Sequence, residues 1–465
     1  MSIDSILGPQ GTISRKLGNF ESRPQQVLMA QAVARAISGP AHLLVEAGTG
    51  VGKSFGYLVP AILAAAEDPQ CRVVISTHTI NLQEQLIGKD LPFLQTVMPQ
   101  PFTAALVKGR ANYLSLRRLK GAREKMHSLL AEPGTQEQLH HIDRWSQHTD
   151  DGSRSDLDFN PAPVVWELVE SDANNCLGKK CPTYDQCFYF KARGRIQNAN
   201  LLVVNHALFF SDLALRKEGY GLLPDYQVVI FDEAHTLEDV AADHLGLEVS
   251  QGGLEYLCNR LYSVKKDRGL LHYHGDSESS RLVDAVRFAA QEFFADVLQW
   301  YSRQDRKTGR VTGPHIVGNP VSEELKKLAA HLTSLTKEIR KQEDKIELIA
   351  AARRCLGMST AIVQWLEQQW EGQVYWVEIG GAYRQRVTLA CAPIEVGPSL
   401  RELLYEEVST VIMTSATLNT GGNDGFRLFQ NRLGLGNATA ATPVLPEHRS
   451  VDECLTLQLG SPFNY

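Results

Sequence analysis

The chain has 465 residues, 43% hydrophobic and 22% charged, with a formal net charge of -6. That length exceeds what one hydrophobic core organises, so several domains of ordinary globular composition are expected. The mildly acidic balance neither selects nor rejects nucleic acid, and it confines any phosphate-binding surface to a local patch.

Met1-Ser2-Ile3-Asp4-Ser5 shows no basic stretch leading into an apolar one, and no apolar run is long enough for a bilayer. No secretory signal and no membrane partner are expected, and the reducing cytoplasm is the expected location. Eight cysteines in so long a chain make no disulfide framework. Cys71, Cys258, Cys355, Cys391 and Cys454 are scattered and read as buried or idle thiols.

Residues 42–46 read as a short buried strand and residues 55–60 as the opening of a helix. Between them runs Ala47-Gly48-Thr49-Gly50-Val51-Gly52-Lys53-Ser54, with Ala47 standing where the commonest pattern has glycine. A strand, a glycine turn and a helix N-terminus aim backbone N–H groups and a positive dipole end at an anion. Lys53 is positioned to reach the β- and γ-phosphates of ATP, and the Ser54 hydroxyl to ligate magnesium. Residues 73–79 form another apolar strand, ending in hydroxyls; Thr77 and Thr79 suit contact with a nucleic-acid backbone.

Lys108, Arg110, Arg117, Arg118, Lys120, Arg123 and Lys125 then crowd together, with Glu124 the one acid among them. Two readings stay open: a solvated helix face, or contact with the phosphates of single-stranded DNA. Tyr113, Tyr184, Phe188, Tyr189 and Phe190 are either stacking platforms for bases or core. Cys176, Cys181 and Cys187 follow, separated by four and then five residues. Thiolates at that spacing are suited to an iron–sulfur centre, with zinc and no stable metal as alternatives.

Residues 228–231 are a fully apolar, β-branched run, as for a parallel strand buried on both faces. Asp232 at its carboxyl end would hold the magnesium shell, and Glu233 would orient and deprotonate the attacking water. Leu325, Leu328, Leu332, Leu335, Ile339, Ile346, Ile349 and Leu356 recur at helical spacing in a heptad-like seam, predicting packed helices. Residues 303–319, rich in Gly, Pro, Thr and charge, read as an exposed loop. Residues 411–418 form another apolar strand ending in Thr414-Ser415-Ala416-Thr417, either a plain core strand or a sensor of the γ-phosphate.

Arg23-Pro24-Gln25-Gln26, the phosphate loop, Ser76-Thr77-His78-Thr79, Asp232-Glu233-Ala234-His235 and Thr414-Ser415-Ala416-Thr417 occur in the order seen in superfamily-two helicases. With Asn205-His206 and the inserted cysteines, the chain resembles the iron–sulfur helicases related to XPD, most closely their bacterial DinG and YoaA branch. The resemblance implies that Gln26, with Arg23 beside it, contacts the nucleotide and reads its adenine. It implies that His235 couples hydrolysis to movement, and that the helical segment is an arch beside the displaced strand. It also implies a 4Fe-4S cluster on Cys176, Cys181, Cys187 and a fourth cysteine, whose place Ser115 takes. The arginines of a second motor domain are not found, and nothing at the amino end resembles a fused exonuclease.

The fold expected is α/β: a RecA-like P-loop NTPase domain with a mostly parallel sheet, broken by a cysteine-rich and a helical insertion. Boundaries are read at 1–105, 196–250 and 376–420 for the motor domain, 106–195 for the cysteine insertion and 251–375 for the arch. Residues 421–465 are read as the start of a truncated second motor domain. The function expected is ATP-dependent, 5′ to 3′ DNA unwinding in repair or replication restart. Single-stranded DNA and replication or repair proteins are the expected partners, at the bacterial nucleoid. A nucleotide-dependent DNA-binding module without catalysis and an RNA helicase of the Asp-Glu-Ala-His type are the rivals.

Overall fold

Short apolar runs bounded by turn residues make the strands: β1 (His42–Ala47), β2 (Val73–Thr77), β3 (Ala104–Leu106), β4 (Leu201–Asn205), β5 (Val228–Asp232), β6 (Leu247–Ser250), β7 (Arg310–Val311), β8 (Gln373–Gly380), β9 (Arg386–Pro393), β10 (Thr410–Ser415), β11 (Ala438–Ala440) and β12 (Cys454–Leu459). The computed structural model describes residues 2–17, 21–130, 132–217, 221–263, 269–304, 308–337, 339, 341–380, 386–421, 425–436, 438–440 and 454–461. The chain divides into two compact units: Met1–Lys108 with Arg193–Leu245 and Glu395–Tyr465, and Gly109–Ala192 with Gly246–Ile394.

In the first unit eight strands form one sheet in the order β11-β12-β1-β10-β5-β2-β4-β3, every pairing parallel. β2, β5 and β10 are buried along their whole length, as continuous apolar runs require when helices cover both faces. Alternation with period two sends their side chains into two layers. Leu43, Val45, Val73 and Ile75 pack with Met29, Val33, Leu58 and Ile62 of the helices Pro24–Ser38 and Lys53–Glu67. Leu44, Val74, Val229 and Met413 pack on the opposite side with Phe209, Phe210 and Leu237. Asn205 ends β4 and caps the next helix, its Oδ1 accepting the Leu208 N–H at 2.7 Å.

His206, the first residue of that helix, is 1% exposed, and its Nδ1 lies 2.7 Å from the Ser76 hydroxyl. Burial, reinforced by the neighbouring His78, holds its imidazole down to about 3.

The second unit joins both insertions into one body. Its four strands run β6-β9-β8-β7, all antiparallel, against the helices Ser277–Ser302, Pro320–Leu335 and Gln342–Glu367. Along β8, Tyr375 and Val377 turn inward and Glu378 outward, the alternation of a sheet with one wet face. Two expected boundaries therefore move. Residues 376–380 and 386–393 belong to this antiparallel sheet rather than to the motor domain, because β8 pairs with β9 and β9 with β6. Residues 421–465 do not open a separate domain among the described residues: β12 pairs with β1 from His42↔Cys454 to Ala47↔Leu459, and Leu455 and Leu459 join the first core.

The heptad-like seam holds through Leu325, Leu328 and Leu332, all fully buried, and then shifts. The helix Gln342–Glu367 starts after a break and resets the phase, so Leu348, Ala352 and Cys355 face the core while Leu356 is exposed. The expected loop 303–319 contributes β7, with Val311 buried.

Two measurements check this packing. Leu348→Ala should lower the stability of the second unit by about 2–5 kcal/mol in urea unfolding, and Leu356→Ala by less than about 0.5; equal losses would contradict the helical phase. An unfolded histidine takes its proton near pH 6.5 and folded His206 only near 3, so its contribution is complete above the former and erodes as pH falls between them. His206→Gln should therefore flatten the fall of Tm between pH 6 and 4, and an unchanged slope would exclude a buried neutral imidazole.

Candidate active site

β1, β10 and β5 are neighbours in that order and all parallel, so their carboxyl ends open on one edge of the sheet, where ligands of such sheets collect. After β1 the chain enters the glycine turn. Gly50 and Gly52 take φ of 84° and 82°, in the left-handed region that side chains avoid. A Cβ at Gly52 would also collide with Gln26 Nε2. Gln26 is buried, and its Nε2 donates to the Gly52 carbonyl at 2.9 Å. Arg23 Nη1 donates to the carbonyl of Gly50. Val51 is wholly buried and anchors the turn, Ala47 ends the strand, and Thr49 is exposed. A Cβ on Gly48 would press on the Ser461 backbone at 3.2 Å. Lys53 is the first residue of the helix Lys53–Glu67, which puts Ser54 in its first turn beside the N–H groups.

Asp232, the last residue of β5, is 3% exposed. Its Oδ2 accepts the Tyr57 hydroxyl at 2.9 Å and its Oδ1 accepts the Glu233 N–H at 3.0 Å. Burial raises the Asp232 carboxyl above its ordinary range, and the Lys53 charge works against that rise. Burial and Asp232 push the Tyr57 phenol well above its ordinary value, so it stays a donor. Glu233 has φ of 56°, a left-handed conformation in a residue with a full side chain. Its Oε1 lies 3.3 Å from Lys53 Nζ, and its Oε2 lies 3.4 Å from His235 Nδ1. His235 Nδ1 also lies 2.9 Å from Ser415 Oγ. Lys53, Glu233, His235 and Ser415 thus run as one contiguous polar chain across the ends of three strands.

Two contributors went unread in the sequence. Tyr57 lies three residues beyond Ser54, a hydroxyl inside an otherwise apolar helical run, and a buried tyrosine hydroxyl needs a partner. Glu46 is a lone charge in an apolar strand; its Oε2 accepts the N–H groups of Leu418 and Asn419 at 2.7 and 2.6 Å, and its Oε1 the Gln458 side chain at 3.0 Å.

The expected DNA contacts divide between the two units. Thr77 is fully buried and its hydroxyl donates to the Thr79 carbonyl at 3.3 Å, while the exposed Thr79 hydroxyl caps a helix by accepting the Leu82 N–H at 3.3 Å. Lys108 falls in the first unit, Arg110 and Tyr113 in the second. Arg110 donates Nε–H to Ser171 at 3.0 Å and lies 4.2 Å over the Tyr189 ring. Tyr113 is 2% exposed and packs edge-on against Tyr189, so the expected base contact gives way to core packing. Arg117 and Arg118, read as part of a basic face, are buried.

The cysteines do not form the expected four-ligand set. Cys176, Cys181 and Cys187 are free and partly buried; Cys176 Sγ accepts the Gly178 N–H at 3.4 Å and Cys181 Sγ lies 3.4 Å from the Thr183 hydroxyl. Ser115 caps the helix Leu116–Glu124, its Oγ accepting the Arg118 N–H at 3.4 Å. Among the described residues no three His, Cys, Asp or Glu side chains are gathered around one metal position. As arranged, these residues do not fit a four-ligand cluster.

Residues 26–153 match the family model described as DEAD/DEAH box helicase, and residues 164–254 the one described as DEAD_2. The ATP-dependent DNA helicase YoaA of Haemophilus influenzae is 30% identical over 475 residues, an alignment covering 100% of this chain and 67% of the relative. YoaA of Escherichia coli is 31% identical, over 98% of this chain and 66% of the relative. The chain therefore spans about two thirds of the length of these relatives. A solved XPD helicase structure aligns with 94% of this chain and 62% of its own, at 16% identity and a TM-score of 0.49. Among the described residues no helix is long and apolar enough to cross a membrane. The chain belongs to the family of the ATP-dependent DNA helicase YoaA, with regions that match the DEAD/DEAH box helicase and DEAD_2 models.

Proposed function

We propose that this chain hydrolyses ATP and couples the reaction to 5′ to 3′ movement on single-stranded DNA. The observation that carries the reading is the 3.3 Å approach of Lys53 to Glu233, residues 180 positions apart in sequence. In this reading Lys53 and the N–H groups of the glycine turn hold the β- and γ-phosphates, and Gln26 and Arg23 border the base. The Ser54 hydroxyl and the Asp232 carboxylate hold magnesium, whose charge offsets that of the phosphates. Glu233 orients the attacking water and takes its proton. His235 then passes the change at Glu233 to Ser415 on β10. Lys108, Arg110 and Thr79 are the proposed contacts to the strand. DNA of the cytoplasmic nucleoid would be the substrate, with replication or repair proteins as partners.

No step of this reading runs through an iron–sulfur cluster. Three thiols and a hydroxyl already committed to a helix cap fall short of a four-thiolate set.

Lys53→Ala should abolish ATP binding, whereas Glu233→Gln should bind ATP normally and lose about 10²–10⁴-fold in DNA-stimulated phosphate release. Release at the unsubstituted rate in Glu233→Gln would remove that carboxylate from the chemistry. Protein purified without oxygen should carry well under four irons per chain, and a full complement of four irons and four sulfides would overturn the structural argument against the cluster.

A further inference from the structure

A cavity of about 450 Å³ lies within the second unit, in the size range of small-molecule sites. Among the described residues its wall carries seven Lys and Arg residues and three carboxylates. Two of these cations are matched: Lys125 Nζ lies 2.9 Å from Asp344 Oδ1, and Arg354 pairs with Asp172. Among the described residues the other five cations share the wall with Glu124 and Glu347, and Glu170 beside it also acts on Arg118 and Arg260.

Arg118 is the informative member. Its side chain is 4% exposed, both Nη groups donate to main-chain carbonyls, those of Glu170 and Glu167, and its Nε–H is buried with no hydrogen-bond partner. Burial, with Arg260 acting in the same direction, lowers its pKa to about 10, so it remains charged at neutral pH. Asp172, Glu347 and Glu170 act on it through space, and Asp172 is held by Arg354. Arg117 beside it is also buried and donates to neutral acceptors, the Asn175 carbonyl and side-chain oxygen at 2.7 and 2.6 Å. Burying such charges is costly unless a counter-charge reaches them. The rest of the described wall is largely apolar, including Leu129, Leu168, Leu257 and Leu261, and among the described residues it holds no aromatic ring on which a base would stack.

We propose that this cavity binds a small, multiply charged oxyanion of the phosphate or pyrophosphate class, separately from the phosphate loop. Guanidinium groups suit such ligands because their planar N–H forks match oxyanion geometry. The site lies outside the ATP-binding residues and does not depend on the ATPase reading.

Titration calorimetry of the full chain with inorganic pyrophosphate tests it, in a Lys53→Ala background that removes the phosphate-loop site. Binding should persist in Lys53→Ala and weaken at least tenfold when Arg118→Met is added. Because Arg118 is buried, the exposed Lys120→Gln paired with Arg260→Gln provides a second variant, expected to weaken binding severalfold with unchanged circular dichroism. Saturating oligo-dT should leave the pyrophosphate affinity unchanged. Absence of binding in Lys53→Ala, undiminished binding in both wall variants, or displacement by oligo-dT, which would make the cavity a strand-phosphate subsite, each overturns the proposal.

Discussion

An ammonium and a carboxylate 3.3 Å apart, each more than two-thirds shielded from water, set the geometry of the first unit's open edge. At the effective dielectric of a partly buried pair, the gross attraction between Lys53 and Glu233 is on the order of 5 kcal/mol before desolvation is subtracted. The net is far smaller, which suits a contact that must exchange. A triphosphate presents Lys53 with several negative charges against the single one of Glu233. Its arrival would draw the ammonium away and leave the carboxylate facing the γ-phosphate side of the pocket. Under the proposed function the pair is a resting contact between the group that would bind phosphate and the group that would deprotonate water.

That contact exists because β10 separates β1 from β5 by one strand. Parallel strands lie nearly 5 Å apart, so the loops after β1 and β5 stand roughly 10 Å from each other, within reach of a lysine and a glutamate extended toward one another. Ser415, at the end of the intervening β10, falls between them and meets His235. Glu46 fixes the other side by accepting two N–H groups of the chain leaving β10 and the side chain of Gln458 on β12. One strand order thus aligns the phosphate loop, the acid pair and the hydroxyl that contacts the histidine.

The sequence made β1, β2, β5 and β10 legible because each is a short continuous apolar run, and the glycine turn and acid pair because their residue types at their spacing have few other uses; β3, β4, β11 and β12 went unread. Three kinds of feature stayed hidden. The Tyr57–Asp232 bond joins positions 175 residues apart, and no local pattern announces a partner so distant. The phase of the helix Gln342–Glu367 depends on the break before it, so the periodicity extended from Leu332 pointed to Leu356 where the fold buries Leu348 and Cys355. The basic run from Lys108 to Lys125 has the composition of a wet surface, yet Arg117 and Arg118 turn inward, because main-chain carbonyls and Asn175 supply acceptors that composition does not reveal.

Glu233 shows how the fold holds a strained geometry in place. A left-handed backbone in a non-glycine residue costs about 1–3 kcal/mol and persists only where the surroundings over-determine it. Here its N–H is bound to Asp232 Oδ1 and its carbonyl accepts the Thr236 hydroxyl at 3.1 Å, and its carboxylate lies between Lys53 and His235. Relaxing the backbone to an ordinary conformation would swing that carboxylate away from Lys53 and His235 and break the bond that orients Asp232. The strain is thus coupled to the placement of both acids, and in the proposed hydrolysis the same bonds would spare the site from reorganising as charge develops.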